Sequence, residues 1–200
     1  MDILFWSGGK DAYLALEFYR QEHPQKQIQL LTTYDQSNET VPHQQIPFPH
    51  IQTQANHLGL DLISVPLPAE CPNDRYLEKI SAQFEQLDEP VENLIFGDWH
   101  LQDIRNWRKN AFDEMGYACR FPIWQKDLHE LLGVLFLKPI AIEISAVKDQ
   151  FRDIIRVGEV YNRAFVQQIQ HLSEDIDPMG ENGEFHTKVT FSDLDESILN

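Results

Sequence analysis

Leu4-Phe5-Trp6-Ser7-Gly8-Gly9-Lys10-Asp11-Ala12 is the stretch that decides the fold. An apolar run, Ile3 to Trp6, enters Ser7-Gly8-Gly9 and leaves into Ala12-Tyr13-Leu14-Ala15-Leu16-Glu17-Phe18-Tyr19, whose apolar spacing suits a helix. A strand, a glycine turn and a helix in that order aim backbone N–H groups and the positive end of a helix dipole at an anion. Two glycines let the backbone approach phosphate oxygens closely, because no Cβ intervenes. Lys10 adds a mobile positive charge, and Asp11 can cap the helix or help hold Mg²⁺. Ser7 before the glycines and Lys10-Asp11 after them favour a phosphate site over a plain tight turn.

The loop is not a Walker loop, which needs four residues between its glycines and a Lys-Ser/Thr ending. Nor is it the dinucleotide fingerprint, since Tyr13 and Leu14 stand where a third glycine is required. It resembles the SGGxDS loop of the ATP pyrophosphatases (the PP-loop family), which hold the β- and γ-phosphates and split ATP into AMP and pyrophosphate. Ala12 replaces the final serine of that pattern. The change removes a hydroxyl whose charge-assisted hydrogen bond is worth about 1.5–3 kcal/mol. Backbone donors survive it, so the expectation is weaker or differently placed phosphate contacts.

Composition narrows the class. Lys and Arg total 16 against 32 acids, a net charge of −16, where polyanion binders carry a basic stripe, so nucleic acid is disfavoured. Arg105, Trp107, Arg108 and Lys109 form a local basic cluster that reads as a solvated helix face. Cys71 and Cys119 show neither CxxC nor zinc spacing, so inert cysteines and a cytoplasmic address are expected. No apolar run approaches the roughly 20 residues of a membrane span, and Asp2 argues against a signal peptide.

Along the chain, a helix at Asp11–Glu22 precedes strands at Ile28–Tyr34, Leu62–Val65 and Asn93–Gly97. Helices are expected at His50–His57, ended by Gly59, and from an Asn73-Asp74 cap to Leu87. Asp35–Pro49 is polar, carries Pro42, Pro47 and Pro49, and is not helical. The order βαβαβαβ argues a parallel sheet with helices on both faces, whose ligands sit beyond the carboxyl ends of the strands. The phosphate loop, Thr33-Tyr34, Pro66 and Gly97-Asp98 should therefore converge on one rim. Further on, Leu101–Met115, Leu128–Leu137 and Glu159–Leu172 read as helices, Phe121–Trp124 as extended and Ile140–Ile144 as a strand. Three units follow: 1–100 as the nucleotide-binding domain, 101–190 as a smaller α/β subdomain and 191–200 as an acidic tail. His43, His50 and His57 recur at sevens across the proline-rich stretch and do not share a helical face.

Gly180-Glu181-Asn182-Gly183-Glu184-Phe185-His186-Thr187 packs two glycines, two acids, a histidine and a threonine into eight residues. It has too few apolar groups for a core, and glycine-spaced acids are well placed to meet a cation or a metal-bound phosphate. Taken alone it also fits a surface turn.

SGGKDA at Ser7, LLTTYD at Leu30, GDWHLQDIRNWR at Gly97, FPIW at Phe121 and GENGEFHT at Gly180 occur in the order seen in the diphthine–ammonia ligase family. The chain is similar to the short, bacterial form of that ATP-binding, diphthamide-synthase type of PP-loop protein. The resemblance implies a HUP-type, Rossmann-like α/β domain followed by a smaller domain whose acidic motif faces the nucleotide. Carried over, the ATP site falls on Ser7, Gly8, Gly9, Lys10, Asp11, Ala12, Gly97 and Asp98, with Arg105 following and Glu181, Gly183, Glu184 and Phe185 for the second substrate. Trp124 falls in the family's nucleotide-proximal segment, Thr33 and Tyr34 at the strand end can lie against adenine, and Tyr34 equally suits the core.

The reaction so implied activates a carboxylate with ATP, releases pyrophosphate and lets ammonia attack the acyl-adenylate. In the family the carboxylate belongs to a modified histidine of elongation factor 2, a substrate of archaea and eukaryotes. A bacterial source would imply an unidentified small molecule or protein in its place. Lys10 and Mg²⁺, held by Asp11 or Asp98, would take up charge on the pyrophosphate, and Glu184 or Glu181 would steer or deprotonate ammonium. Two other readings stay open. One is an adenine-nucleotide-binding module without catalysis, which Ala12 favours. The other is a PP-loop enzyme acting on tRNA, which the acidity disfavours.

Overall fold

Side-chain alternation in the first strand shows how the layers form. The computed structural model describes residues 1–172 and 175–191. In β1 (Asp2–Phe5), Leu4 belongs to one apolar cluster, while Ile3 and Phe5 belong to another on the opposite face. The same split runs through β2 (Ile28–Asp35), where Leu30 and Leu31 point to opposite clusters. A sheet buried on both faces needs a helical layer on each side. Here α1 (Lys10–Glu22) and α2 (Phe48–Leu58) cover the Leu4–Leu30 face. The other face is covered by α3 (Asn73–Phe84) and α4 (Gln102–Glu114).

The remaining strands of this sheet are β3 (Thr40–Val41), β4 (Ile46–Pro47), β5 (Leu62–Leu67), β6 (Asn93–Ile95) and β7 (Ala118–Arg120). Its parallel core runs β5-β2-β1-β6-β7. Successive strands are added on one side of β1 as far as β5 and then on its other side, so β1 marks the topological switch point at which such sheets bind ligands. The β3–β4 hairpin hangs from the end of β2 through the Asp35–Thr40 pair. Its turn holds His43 and Gln45 at φ of 65° and 54°. At the opposite end of the sheet, the buried Asp2 carboxylate accepts from Tyr19 Oη and Asn93 Nδ2, both at 2.8 Å, which pins β1, α1 and β6 together.

After β7 come α5 (Leu128–Leu135), β8 (Ile140–Val147), α6 (Arg163–Leu172) and β9 (Phe185–Phe191). β8 and β9 form an antiparallel pair with an irregularity at Ile144–Ala146. This pair lies on the α1–α2 side, and its Ile142, Ile144 and Val189 share one apolar cluster with Leu14 and Ile51. The two parts therefore share a core.

Several sequence expectations shift. The boundary expected at residue 100 falls within the main sheet, because α4 and β7 complete a parallel crossover whose last strand pairs with β6. Asn73 is the first residue of α3 rather than its cap, since Pro72 is the extended residue before it. Phe121–Trp124 is a turn; the strand lies just before it, at Ala118–Arg120. Val160 bridges Glu143 instead of joining a helix, and α6 starts at Arg163, with Asn162 Oδ1 accepting the Phe165 amide at 3.0 Å. Phe191, counted with the tail, ends β9 and stacks on His57 at 4.4 Å. The rest of the expected tail, 192–200, lies outside the described residues.

Candidate functional site

The Ser7–Ala12 loop leaves β1 beside Gly97, which follows β6. A Cβ on Gly97 would sit 2.7 Å from the Asp11 carbonyl and 2.9 Å from the Ala12 nitrogen, so a side chain there would displace the first turn of α1. Gly8 is in the left-handed region at φ +81°, and a Cβ there would lie 2.5 Å from Ile51 Cδ1. A Cβ on Gly9 would be 2.9 Å from the Thr187 carbonyl. The two loop glycines therefore seat the loop against α2 and β9, rather than opening it to a ligand as the sequence suggests. The Gly8 carbonyl accepts from Gln54 Nε2 and from the Val189 amide, each at 3.0 Å. The Lys10 amide donates to Thr187 Oγ1 at 3.1 Å. The amides of Asp11 and Ala12 open α1 and have no intrahelical acceptor.

Above this loop lies a cleft of about 700 Å³, bounded by the carboxyl ends of β1, β2, β5 and β6. It falls in the size range of small-ligand sites. Of the residues expected at the ATP site, Ser7, Asp11, Ala12, Thr33, Gly97 and Asp98 line it. Trp6, Leu31, Val41 and Pro42 add an apolar wall suited to a flat base, and Trp6 is fixed by its indole N–H bonding Gln54 Oε1 at 2.8 Å.

Acids dominate the polar lining. Asp11 accepts both carboxylate contacts of the Lys10 ammonium, at 2.9 Å each. That ammonium is buried, 5.7 Å from the Tyr161 ring centroid and 5.9 Å from that of Phe185. Lys10 thus holds Asp11 in place and does not line the cleft, contrary to the free phosphate-neutralising role expected of it. Asp98 forms an ion pair with Arg108 Nε at 2.9 Å. Burial nevertheless raises its pKa, Arg108 opposing the shift and Asp11 adding to it. Glu181 accepts the Trp99 amide at 2.9 Å and the His100 amide at 3.3 Å. Its pKa is also raised, first by burial and then by Asp11. Among the described residues no group of three or more His, Cys, Asp or Glu is arranged to hold a metal ion. Asp11 and Asp98, two carboxylates that line one cleft, suit a divalent cation shared with a bound phosphate.

Other expected site residues stand elsewhere. Tyr34 stacks on Phe48 at 4.3 Å, away from the cleft. The Arg105 guanidinium sits 4.5 Å over Trp124 and 5.1 Å over Phe121, so both Arg105 and Trp124 serve packing. Gly183 makes the turn before β9 at φ +79°. Glu184 is 3% exposed, its Oε1 accepting the Asp177 amide and Asn182 Nδ2 at 3.0 and 3.2 Å. Phe185 and Thr187 are also buried, so half of the Gly180–Thr187 motif is core after all. The three spaced histidines separate: His50 bonds the Val189 carbonyl at 2.8 Å, His57 stacks on Phe191, and His43 enters the cleft 6.1 Å from His186.

Tyr76, Trp107, Arg108 and His186 line the cleft without having been singled out for it. Leu101, Ile104 and Arg108 recur at the i, i+3, i+7 spacing of one helical face, a signal available in the sequence. Arg108, expected in a solvated basic face, turns into the cleft and places its guanidinium 4.6 Å over the Phe96 ring. Burial, with His43 and Lys10 adding to it and Asp11 and Glu184 opposing it, lowers the His186 pKa to about 4. Cys71 is at the rim, and burial pushes the Cys119 thiol up to about 11, so it remains a thiol.

Residues 1–118 match the model of the diphthamide synthase N-terminal domain. The match takes in the loop, Asp98 and Arg108, while Glu181 and His186 fall beyond it. No curated protein matches the chain.

Proposed function

The chain belongs to the diphthamide synthase family, and from that premise we propose that it is an ATP-dependent ligase. It cleaves ATP to AMP and pyrophosphate and joins the activated carboxylate to ammonia. The observation that carries this reading is the meeting, in one cleft at the sheet's switch point, of the α1 amino terminus with Asp11 and Asp98.

In this reading the amides of Asp11 and Ala12 and the Ser7 hydroxyl bind the triphosphate. The Trp6–Leu31–Val41–Pro42 wall takes the base. Asp11 and Asp98 hold Mg²⁺, which when bound neutralises charge on the departing pyrophosphate. Lys10 acts through Asp11, fixing its carboxylate. Glu181 replaces Glu184 as the acid facing ammonium, because it lines the cleft and Glu184 does not. A raised pKa suits a group that accepts a proton from ammonium and returns it to solvent.

A second reading, nucleotide binding without turnover, is favoured by two observations. Ala12 carries no hydroxyl, and the Lys10 ammonium is withdrawn beneath the loop. Calorimetry with MgATP and AMP, followed by measurement of AMP and pyrophosphate release with ammonium and a carboxylate panel, tests both. Saturable MgATP binding that weakens at least tenfold in Asp98→Asn, together with AMP release, supports the ligase. Binding without release supports the second reading. No nucleotide binding by folded protein removes both.

A further inference from the structure

Resting on the ligase reading, we propose that Arg108 receives the carboxylate of the second substrate and that this substrate carries an uncharged, apolar body laid against α4. Asp11, Asp35, Glu70, Asp98 and Glu181 all face the cleft, and Arg108 is the one Arg or Lys among its described lining residues. A carboxylate entering this field needs a cation to receive it, and Arg108 supplies the charge. The guanidinium is already oriented. Phe96 packs against its plane at 4.6 Å, and Asp98 holds its Nε edge at 2.9 Å, while the side chain keeps a quarter of its surface exposed. Nε and Asp98 Oδ2 are both buried and meet as an ion pair without hydrogen-bond alignment. The planar fork of arginine can present its other edge to a second carboxylate bidentately.

Position supports the same assignment. Asp98 follows Gly97, which touches the first turn of α1, so its ion-pair partner Arg108 is tied to the phosphate-loop side of the cleft. The same cleft has an apolar wall. Ile104 and Trp107 come from α4, Leu101 immediately precedes it and Tyr76 comes from α3, with the Trp107 and Tyr76 rings 6.2 Å apart. Ile104 keeps 40% of its surface exposed on this wall, so it is open to a ligand's apolar part. Burial pushes the Tyr76 hydroxyl up to about 12, so this wall carries no charge at neutral pH.

The test uses phenylacetate, acetate and benzylamine as probes of the whole chain without nucleotide, with binding read by ligand-observed NMR and calorimetry. Phenylacetate should bind, acetate at least tenfold more weakly for want of a body, and benzylamine not at all. Arg108→Gln should weaken phenylacetate at least tenfold, and Arg108→Lys should recover part of the loss. Trp107→Ala, which leaves the Arg108–Asp98 ion pair intact, should weaken phenylacetate at least tenfold while MgATP affinity changes less than threefold, and covers the case in which Arg108→Gln does not fold. Failure of phenylacetate to bind wild type, preference for benzylamine, undiminished phenylacetate binding in folded Arg108→Gln, or an equal loss of MgATP in Trp107→Ala would overturn the proposal. Arg108-dependent binding of phenylacetate with no AMP formed from any carboxylate would sink the ligase reading and with it the second substrate, leaving Arg108 as a carboxylate site alone.

Discussion

The Glu181 carboxylate accepts the backbone amide of Trp99 at 2.9 Å, fastening the turn before β9 to the segment after β6 across 82 residues of chain. Two motifs that look unrelated in sequence thus form one wall of the cleft. The carboxylate is held by hydrogen bonds and strained by charge, since burial and Asp11 both raise its pKa. Glu181→Gln keeps an acceptor for the Trp99 amide and removes the repulsion, so it should hold or raise the melting temperature. Glu181→Ala leaves the Trp99 and His100 amides without this acceptor and should cost about 1–3 kcal/mol. Chemical denaturation of the three proteins checks the order, and a Gln variant less stable than Ala would refute it.

Lys10 gives a second prediction. Its ammonium is 2% exposed, with Asp11 on one side and the Tyr161 and Phe185 rings on the other. Lys10→Met preserves volume but removes the charge that orients Asp11. MgATP binding should weaken about tenfold while AMP binding without Mg²⁺ changes little. Equal losses for both nucleotides would mean that the ammonium contacts phosphate directly.

Four of the five parallel strands were legible because they are short apolar runs separated by helical spacing, and Gly59 and Gly97 punctuate them where the structure does. The fifth, β7, with half-exposed Ala118-Cys119-Arg120, gave no such run. The loop was legible as an element but not in its use of glycine. Nothing local shows that Gly8 and Gly9 face Ile51 and Thr187, which arrive from 43 and 178 positions further along the chain. The same limit explains Arg108 and Arg105. Both lie on α4, and only the packing of Phe121 and Trp124 against that helix decides which guanidinium is covered and which faces the cleft. In Gly180–Thr187 the polar composition hid a strand, because Glu184 and Thr187 find their partners in Asp177, Asn182 and the Lys10 amide.

Gly97 is packed directly against the backbone that opens α1. A Cβ placed 2.7 Å from the Asp11 carbonyl cannot be relieved by turning a side chain, because the obstacle is backbone. Gly97→Ala should therefore push α1 from β6, destabilise the fold by about 1–3 kcal/mol and abolish nucleotide binding even where the protein stays folded. Gly116→Ala is the control for a changed glycine, since a Cβ there meets nothing within 4 Å, although its φ of +86° adds strain of its own. Undiminished MgATP binding by Gly97→Ala would mean that the nucleotide does not depend on the start of α1.

Ala12 allows a gain rather than a loss. It is 4% exposed at the third position of α1 and lines the cleft. A serine adds one oxygen where the PP-loop pattern has a hydroxyl, so Ala12→Ser should tighten MgATP roughly tenfold, the lower end of what a charge-assisted hydrogen bond supplies. Calorimetry on the two proteins decides it, and weaker binding would place the triphosphate away from this turn.

His186 sets the acid limit of the fold. Its pKa falls from an ordinary 6.5 to about 4 because burial, His43 and Lys10 all oppose a positive charge there. Above pH 6.5 the imidazole is neutral in both the folded and unfolded chain, so it contributes nothing to the pH dependence. Between 6.5 and about 4 the unfolded chain takes up a proton that the folded chain refuses, and stability falls with pH, by about 1–3 kcal/mol across the window. His186→Gln should flatten that part of the stability curve while leaving the region above pH 7 parallel to wild type. Denaturation midpoints measured from pH 4.5 to 8 test this, and a wild-type curve that stays level below pH 6.5 would show that His186 is free to protonate in the folded protein.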